Sequence, residues 1–258
     1  ITKTVEDAAL LLQAIAGNDP KDSTCLPAEV PDYASALDEG IAGMRIGLPR
    51  EFFADEALDS GVRSRVEEAL ALLEGQGAEL VEISLPSTAY AVAVYYILAP
   101  AEASSNLSRY DGVRYGKRID TGDGIIPMYR NSRAEGFGPE VKRRIILGTY
   151  VLSSGYSGKY YLKAQKARTL IQGEYKEAFK NVDVIMGPVS PTPARKIGEH
   201  SESPLEDYLA DVYTISANLA GICGISVPCG TVEREGSQLP VGLQILGPHL
   251  AESRILRA

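Results

Sequence analysis

At 258 residues, 45% hydrophobic and 23% charged, the chain has the size and composition of an ordinary globular protein, enough for one large α/β domain or two small ones. Lys and Arg number 26 against 34 Asp and Glu, and the formal net charge of −8 argues against the chain gripping a phosphate backbone by itself. No apolar run reaches the roughly 18 residues of a membrane helix. The densest, AYAVAVYYILAPAEA, is shorter and contains Pro100, so no membrane association is expected.

The chain opens without a methionine and runs straight into a helix start. Thr4 is an N-cap candidate with Asp7 three residues on, and Val5, Ala8, Ala9, Leu12 and Ala16 fall on one helix face. Residues 17–31 form a polar loop with three prolines. MRIGLP (44–49) reads as a buried strand. A helix follows, with Val62, Val66, Ala69, Leu70 and Leu73 as its stripe and Gly75 and Gly77 as its stop, and then the strand in ELVEISLP. Strand, helix, strand is a crossover unit, which predicts a sheet with parallel pairs.

The middle, about 87–180, is strongly helical, with helices over about 88–107, 139–152 and 158–179. Between the first two lies RYDGVRYGKRIDTGDGIIPMYRNSRAEGFG, read as a Gly- and Arg-rich loop. A helix over 205–219 then precedes a return to strands, GISVPCG and VGLQILGP, after an earlier one in VDVIMGP. HLAESRILRA reads as a helix interrupted after two turns. Both ends look trimmed, and a larger upstream part is expected.

Several motifs fail. In LSSGYSGKYY, Ser153 stands where a phosphate loop needs its first Gly and Tyr160 follows Lys159, while Gly155-Tyr156-Ser157-Gly158 lacks the last Gly of a nucleophile elbow. A helix–helix turn is the better reading. Asp120 and Asp123 in DTGDG read as a solvated turn rather than a calcium loop. Cys25, Cys223 and Cys229 suggest a reducing compartment, hence the cytoplasm, without disulfides. The spacing of Cys223 and Cys229 does not suit zinc, and neither His200 nor His249 lies near a cysteine, so no metal site is expected.

Three residues stand out. Arg144 falls inside the stripe of Val141, Ile145, Gly148, Val151 and Leu152, and a guanidinium buried there requires an anion, either an acid of the fold or the carboxylate of a ligand. Asp211 flanks the stripe of Leu205, Tyr208, Leu209, Val212, Ile215 and Leu219, on the side of Thr214 and Asn218; it is either a surface acid or a cleft carboxylate for a ligand ammonium. Tyr95, in an apolar helix, serves core packing or a pocket wall. Gly224 and Gly230 bracket ISVPC, where backbone approaches backbone or ligand.

TVEDAALLLQAIAGNDPKDST, NLSRYDGVRYG, EGFGPEVKRRIILGTYVLSSGY, NLAGICGISVPCG and LPVGLQILGP together resemble the amidase-signature family, in its branch of glutamine-hydrolysing A subunits of tRNA-dependent amidotransferases. RYDGVRYG with EGFGPEVKRRI carries the branch; GISVPCG and PVGLQILG are common to the family. The resemblance implies an α/β amidase-signature fold, a mixed sheet flanked by helices, with residues 1–258 the C-terminal part of a single domain. The family's catalytic Ser, cis-Ser and Lys lie upstream of a segment like TVEDAALLL, so no catalytic residue is expected here and the chain itself is expected to be inactive. Substrate-binding positions carry over onto Arg144 for the α-carboxylate of glutamine, Asp211 for its ammonium, and Tyr95 as pocket lining. Ammonia would pass to the B subunit of the complex, which uses ATP and Mg to activate Glu-tRNA(Gln) or Asp-tRNA(Asn), while a small C subunit holds the two together. The B and C subunits and glutamine are therefore the expected partners, with aminoacyl-tRNA met through the B subunit rather than directly, and no cofactor is expected on this chain. Two departures are noted: Cys223 where the family usually has Pro, and the DTGDGIIP loop. The alternatives are a stand-alone amidase on small amides and a non-catalytic interaction module.

Overall fold

The computed structural model describes residues 1–54, 57–156, 158–199 and 209–258; the expectations placed on Ser157, His200, Leu205 and Tyr208 lie outside the described residues. The chain divides into two compact units, residues 1–89 with 171–258, and residues 90–170.

The first unit holds a five-stranded sheet of β1 (Arg45–Pro49), β2 (Glu79–Ile83), β3 (Val184–Pro188), β4 (Cys223–Arg234) and β5 (Ser237–Gly247), ordered β2-β1-β3-β5-β4. β1 pairs in parallel with both β2 and β3, as the strand–helix–strand pattern predicts, and β5 is antiparallel to β3 and β4. The sheet is therefore mixed. β4 and β5 form a hairpin well beyond GISVPCG and VGLQILGP. It is closed by Glu235 (φ 49°) and Gly236 (φ 75°), a two-residue turn whose left-handed backbone matches the twist of the flanking strands. A register shift between Pro228 and Gly230 marks a bulge, and Gly230 takes φ 130° there. A Cβ on Gly230 would meet Arg65 Cδ at 2.8 Å, so this glycine serves the bulge and its packing.

Helix α1 (Val5–Ile15) is capped as predicted, Thr4 Oγ1 accepting from the Asp7 amide at 3.0 Å, and its buried Ala9 joins Tyr33 and Leu256 in a small cluster. After the short α2 (Arg50–Phe53), α3 (Ser60–Gly75) starts at Asp59, whose carboxylate accepts from the Gly61 and Val62 amides and pairs with Arg234 of β4. Val62, Val66 and Leu70 bury against Ile46, Val184, Met186, Leu243 and Ile245, forming the core with Phe52 and Tyr213. Each such side chain contributes about 1.5–3 kcal/mol by leaving water.

At the start of β1 the Asp183 carboxylate accepts three bonds from Arg45: the amide at 2.9 Å, Nε at 3.2 Å and a terminal nitrogen at 3.2 Å. The side-chain hydrogen bonds from Arg45 outweigh the opposing effect of burial and hold the Asp183 carboxyl below its usual range. A depressed folded-state value means stability that is present above the unfolded pKa, about 3.9, and is lost as pH falls through the folded value. Asp183→Asn is thus expected to cost about 1 kcal/mol at neutral pH, the size of a partly exposed pair. In thermal melts, the gap between the two proteins should shrink steadily below about pH 4; a gap independent of pH would refute this.

The second unit is helical: α4 (Ala91–Asn106), α5 (Ile125–Gly136), α6 (Pro139–Leu152) and the first half of α7 (Tyr161–Ala178). α4 and α6 pack so closely that a Cβ on Gly148 would lie 1.8 Å from the Pro100 carbonyl oxygen. α5 corrects the loop expected between them. Pro127 occupies the first turn, where no intrahelical donor is needed, so it does not break the helix. α5 in turn organises the segment before it. Buried Ser132 accepts from the Ile119 amide at 2.8 Å, and Arg133 donates to the Leu107 and Tyr110 carbonyls while lying over the Phe137 ring. Asp120 and Asp123 are occupied by Arg118, the Gly122 amide and Thr121, the bonds of a solvated turn.

Candidate substrate site

In the sheet unit the site begins before β4. The pattern predicts one helix over 205–219; among the described residues Leu209 and Ala210 are helical, residues 211–214 form a turn, and the helix resumes as α8 (Ile215–Ala220), the Asp211 carbonyl accepting from the Thr214 and Ile215 amides, both at 3.0 Å. The turn changes which side chains face inward. Tyr213, Ile215, Ser216 and Leu219 are buried, whereas Leu209, expected inside, is 47% exposed. Asp211 itself is exposed, and its carboxylate makes no ion pair among the described residues.

Two buried polar contacts fix this turn. Gln244 of β5 donates from one Nε2 to the Tyr213 carbonyl at 3.0 Å and the Pro188 carbonyl at 2.9 Å, tying the turn to β3 and β5. Ser216 shares a 2.7 Å hydrogen bond with the Tyr175 hydroxyl of α7, and burial pushes the Tyr175 phenol well above its usual range. Tyr213 packs on Phe52 with ring centroids 5.2 Å apart. Gln244 was legible as the lone amide in an apolar strand, VGLQILG, but periodicity alone gave it no role.

A cavity of about 350 Å³ lies beside α8 and the hairpin, lined in part by Thr214, Asn218, Gly224, Ser226 and Gln244. A second, of about 510 Å³, shares Val189 and Ser226 with it. Asp211 stands outside both linings, one turn before Thr214. A Cβ on Gly224 would meet Leu246 Cδ2 at 2.8 Å, so a larger residue there would displace the end of that side chain. Cys223 donates to the Pro248 carbonyl at 3.1 Å and Cys229 to the Val241 carbonyl at 3.6 Å; burial raises both thiols, which makes them poor nucleophiles.

Tyr95 and Arg144 stand on the packed pair α4 and α6 of the helical unit. The apolar stripe of α6 holds, with Gly148 and Val151 buried, but Arg144 is not buried within it. Its side chain is 39% exposed and its Nε lies 3.3 Å from the Glu140 carboxylate one turn earlier, while Arg143 takes the other Glu140 oxygen at 2.9 Å. The stripe edge at Arg144 is open to water, which a long side chain reaches readily. The expectation of a fully buried cation therefore falls. Among the described residues no hydrogen bond from the terminal nitrogens of Arg144 accompanies this pairing. Tyr95 is half-buried and meets Tyr96 edge-on, ring centroids 5.0 Å apart.

A mixed five-stranded sheet with packed helices, interrupted in sequence by a helical unit, defines an α/β protein. The amidase family model matches residues 1–256, and the chain belongs to that family. It is similar to the A subunit of glutamyl-tRNA(Gln) amidotransferase from Desulfatibacillum aliphaticivorans, 56% identical over 99% of this chain and 52% of that protein. The corresponding A subunit from Geobacter sp. (strain M21) is also 56% identical, over 100% of this chain and 52% of its own length. The crystal structure of the same amidotransferase subunit from Thermotoga maritima superposes with a TM-score of 0.75 at 41% identity, covering 100% of this chain and 50% of that one. A bacterial aryl acylamidase shares the fold at a TM-score of 0.72 and 20% identity. The chain spans about half the length of the curated relatives it matches.

Proposed function

We propose that the chain is the glutamine-recognising part of the A subunit of a tRNA-dependent amidotransferase, corresponding to the C-terminal half of that subunit. Glutamine would be held by its charged ends: the terminal nitrogens of Arg144 on the α-carboxylate, the Asp211 carboxylate on the α-ammonium, and the Tyr95 ring against the side chain. A cation for the carboxylate and an anion for the ammonium select a zwitterion and reject amides lacking either group. The amide-cleaving Ser, cis-Ser and Lys belong to the rest of the subunit. The ammonia passes to the partner B subunit, which uses ATP with Mg on the aminoacyl-tRNA, with the C subunit joining the two. A protein serving translation in this way works in the cytoplasm.

The observation that carries this reading is identity of 54–57% to A-subunit sequences along essentially the whole chain. An exposed Arg144 paired only within its own helix, and an Asp211 carboxylate with no ion pair among the described residues, add a chemical reason at two positions. Its test uses the full-length subunit in its complex. Asp211→Asn is expected to lower kcat/KM for glutamine about 30-fold, and to leave hydrolysis of glutaramate, which lacks the α-ammonium, within about twofold of wild type. Equal losses on both amides would remove Asp211 from ammonium recognition.

A further inference from the structure

The net acidity of the chain is not shared by its two units. Residues 90–170 hold 13 Lys and Arg against 6 Asp and Glu, a formal charge of +7, so the remainder carries −15 of the total of −8. Several of the basic groups in the helical unit are occupied, Arg114 by Asp111, Arg118 by Asp120, and Arg143 and Arg144 by Glu140. Lys117, Arg130, Lys142, Lys159, Lys163 and Lys166 are exposed and make no ion pair among the described residues. Lys163 and Lys166 are spaced as i and i+3 on one side of α7, and Lys159 lies in the turn leading into it.

The same corner exposes aromatic surface. Tyr150 at the end of α6 lies 4.7 Å from Tyr156, ring centroid to centroid, and Tyr156 stacks on Tyr160 at 6.0 Å with 21° between the planes. The three are 49%, 38% and 41% exposed, so the stack is not core packing. Lysine is depleted at protein–protein interfaces, where immobilising its stem is costly, whereas every unpaired cation strengthens binding to a polyanion through released counterions. Stacked phenol rings beside such cations offer π-faces to unpaired bases of any sequence. Duplex binding gains nothing from the rings.

We propose that the corner formed by Tyr150, Tyr156, Tyr160, Lys159, Lys163 and Lys166 binds a single-stranded segment of nucleic acid directly, with phosphates on the lysines and an unpaired base against the tyrosines. The site is independent of the glutamine reading and goes beyond it, since there the tRNA is met only through the B subunit. The test is a fluorescence-anisotropy titration of an oligouridine of about 12 nucleotides into the full-length protein without partner subunits, at two salt concentrations. Binding should weaken with salt. The double variant Lys163→Glu with Lys166→Glu should weaken it about tenfold or more, and Tyr156→Ala about tenfold, while Tyr156→Phe binds as wild type. Melting curves by circular dichroism check the fold of each variant, and the surface lysine pair carries the test even if Tyr156→Ala unfolds. No binding at low salt, an unchanged double variant, or equal binding of a duplex of the same charge would overturn the proposal. So would an acidic protein partner that covers Tyr156 while oligouridine leaves it accessible.

Discussion

Arg144→Ala in the full-length amidotransferase subunit is expected to lower kcat/KM for glutamine by about 100-fold or more, the loss of a charge-assisted pair that leaves a carboxylate unmatched, about 3 kcal/mol. The folded state should hardly change. The present partner of Arg144 is Glu140 one turn away, both side chains are more than a third exposed, and Glu140 keeps Arg143. Arg144→Lys should recover only part of the activity, because an ammonium reaches one carboxylate oxygen where two guanidinium nitrogens reach both. Steady-state glutaminase assays with thermal melts on the same samples separate the two effects. A loss below tenfold, or a loss tracking the melting temperature, would leave Arg144 a surface ion pair and withdraw it from the substrate site.

Gly148→Ala is expected to destabilise the helical unit by about 3 kcal/mol or more, a large effect for one methyl group. The added carbon would sit 1.8 Å from the Pro100 carbonyl oxygen and 2.8 Å from Ser104 Cβ. The obstacle is backbone, so no rotamer change relieves it, and α4 and α6 must separate along their contact. Neighbouring Thr149 is exposed, and Thr149→Ala, an ordinary helix substitution, should change stability by less than about 0.5 kcal/mol. Denaturant unfolding of both variants checks the contrast. Equal stability of Gly148→Ala and wild type would mean that the two helices are not held at this separation in solution.

Much of the chain was legible because local patterns and burial agreed. The Thr4 cap, the stripe of Val62, Val66 and Leu70, and the bounds of α6 at Pro139 and Leu152 all follow from positions within a few residues of each other. The failures are non-local or hinge on one unusual residue. α5 was hidden by a proline that is harmless at its particular position, and the hairpin by Glu235 filling a place usually taken by Asn or Asp. Arg144 lies on the predicted stripe yet is half-exposed, because angular position on a helix says nothing of where its neighbours stop.

The site divides in the same way. Tyr95, Arg144 and Asp211 were picked out by residue type and by likeness to a family, whereas Gln244, Tyr175 and Ser216, which hold the Asp211 turn, acquire meaning only once β3, β5, α7 and α8 meet. Composition and periodicity determined by themselves that this is an α/β chain with a helical middle, since side-chain spacing of 2 or 3.6 dictates what each segment can bury. The tertiary structure alone decided which charges are paired, that Gly148 admits no side chain, and that three tyrosines form an exposed stack. Charge pairing and close contact depend on residues far apart in sequence, and no local pattern encodes those distances.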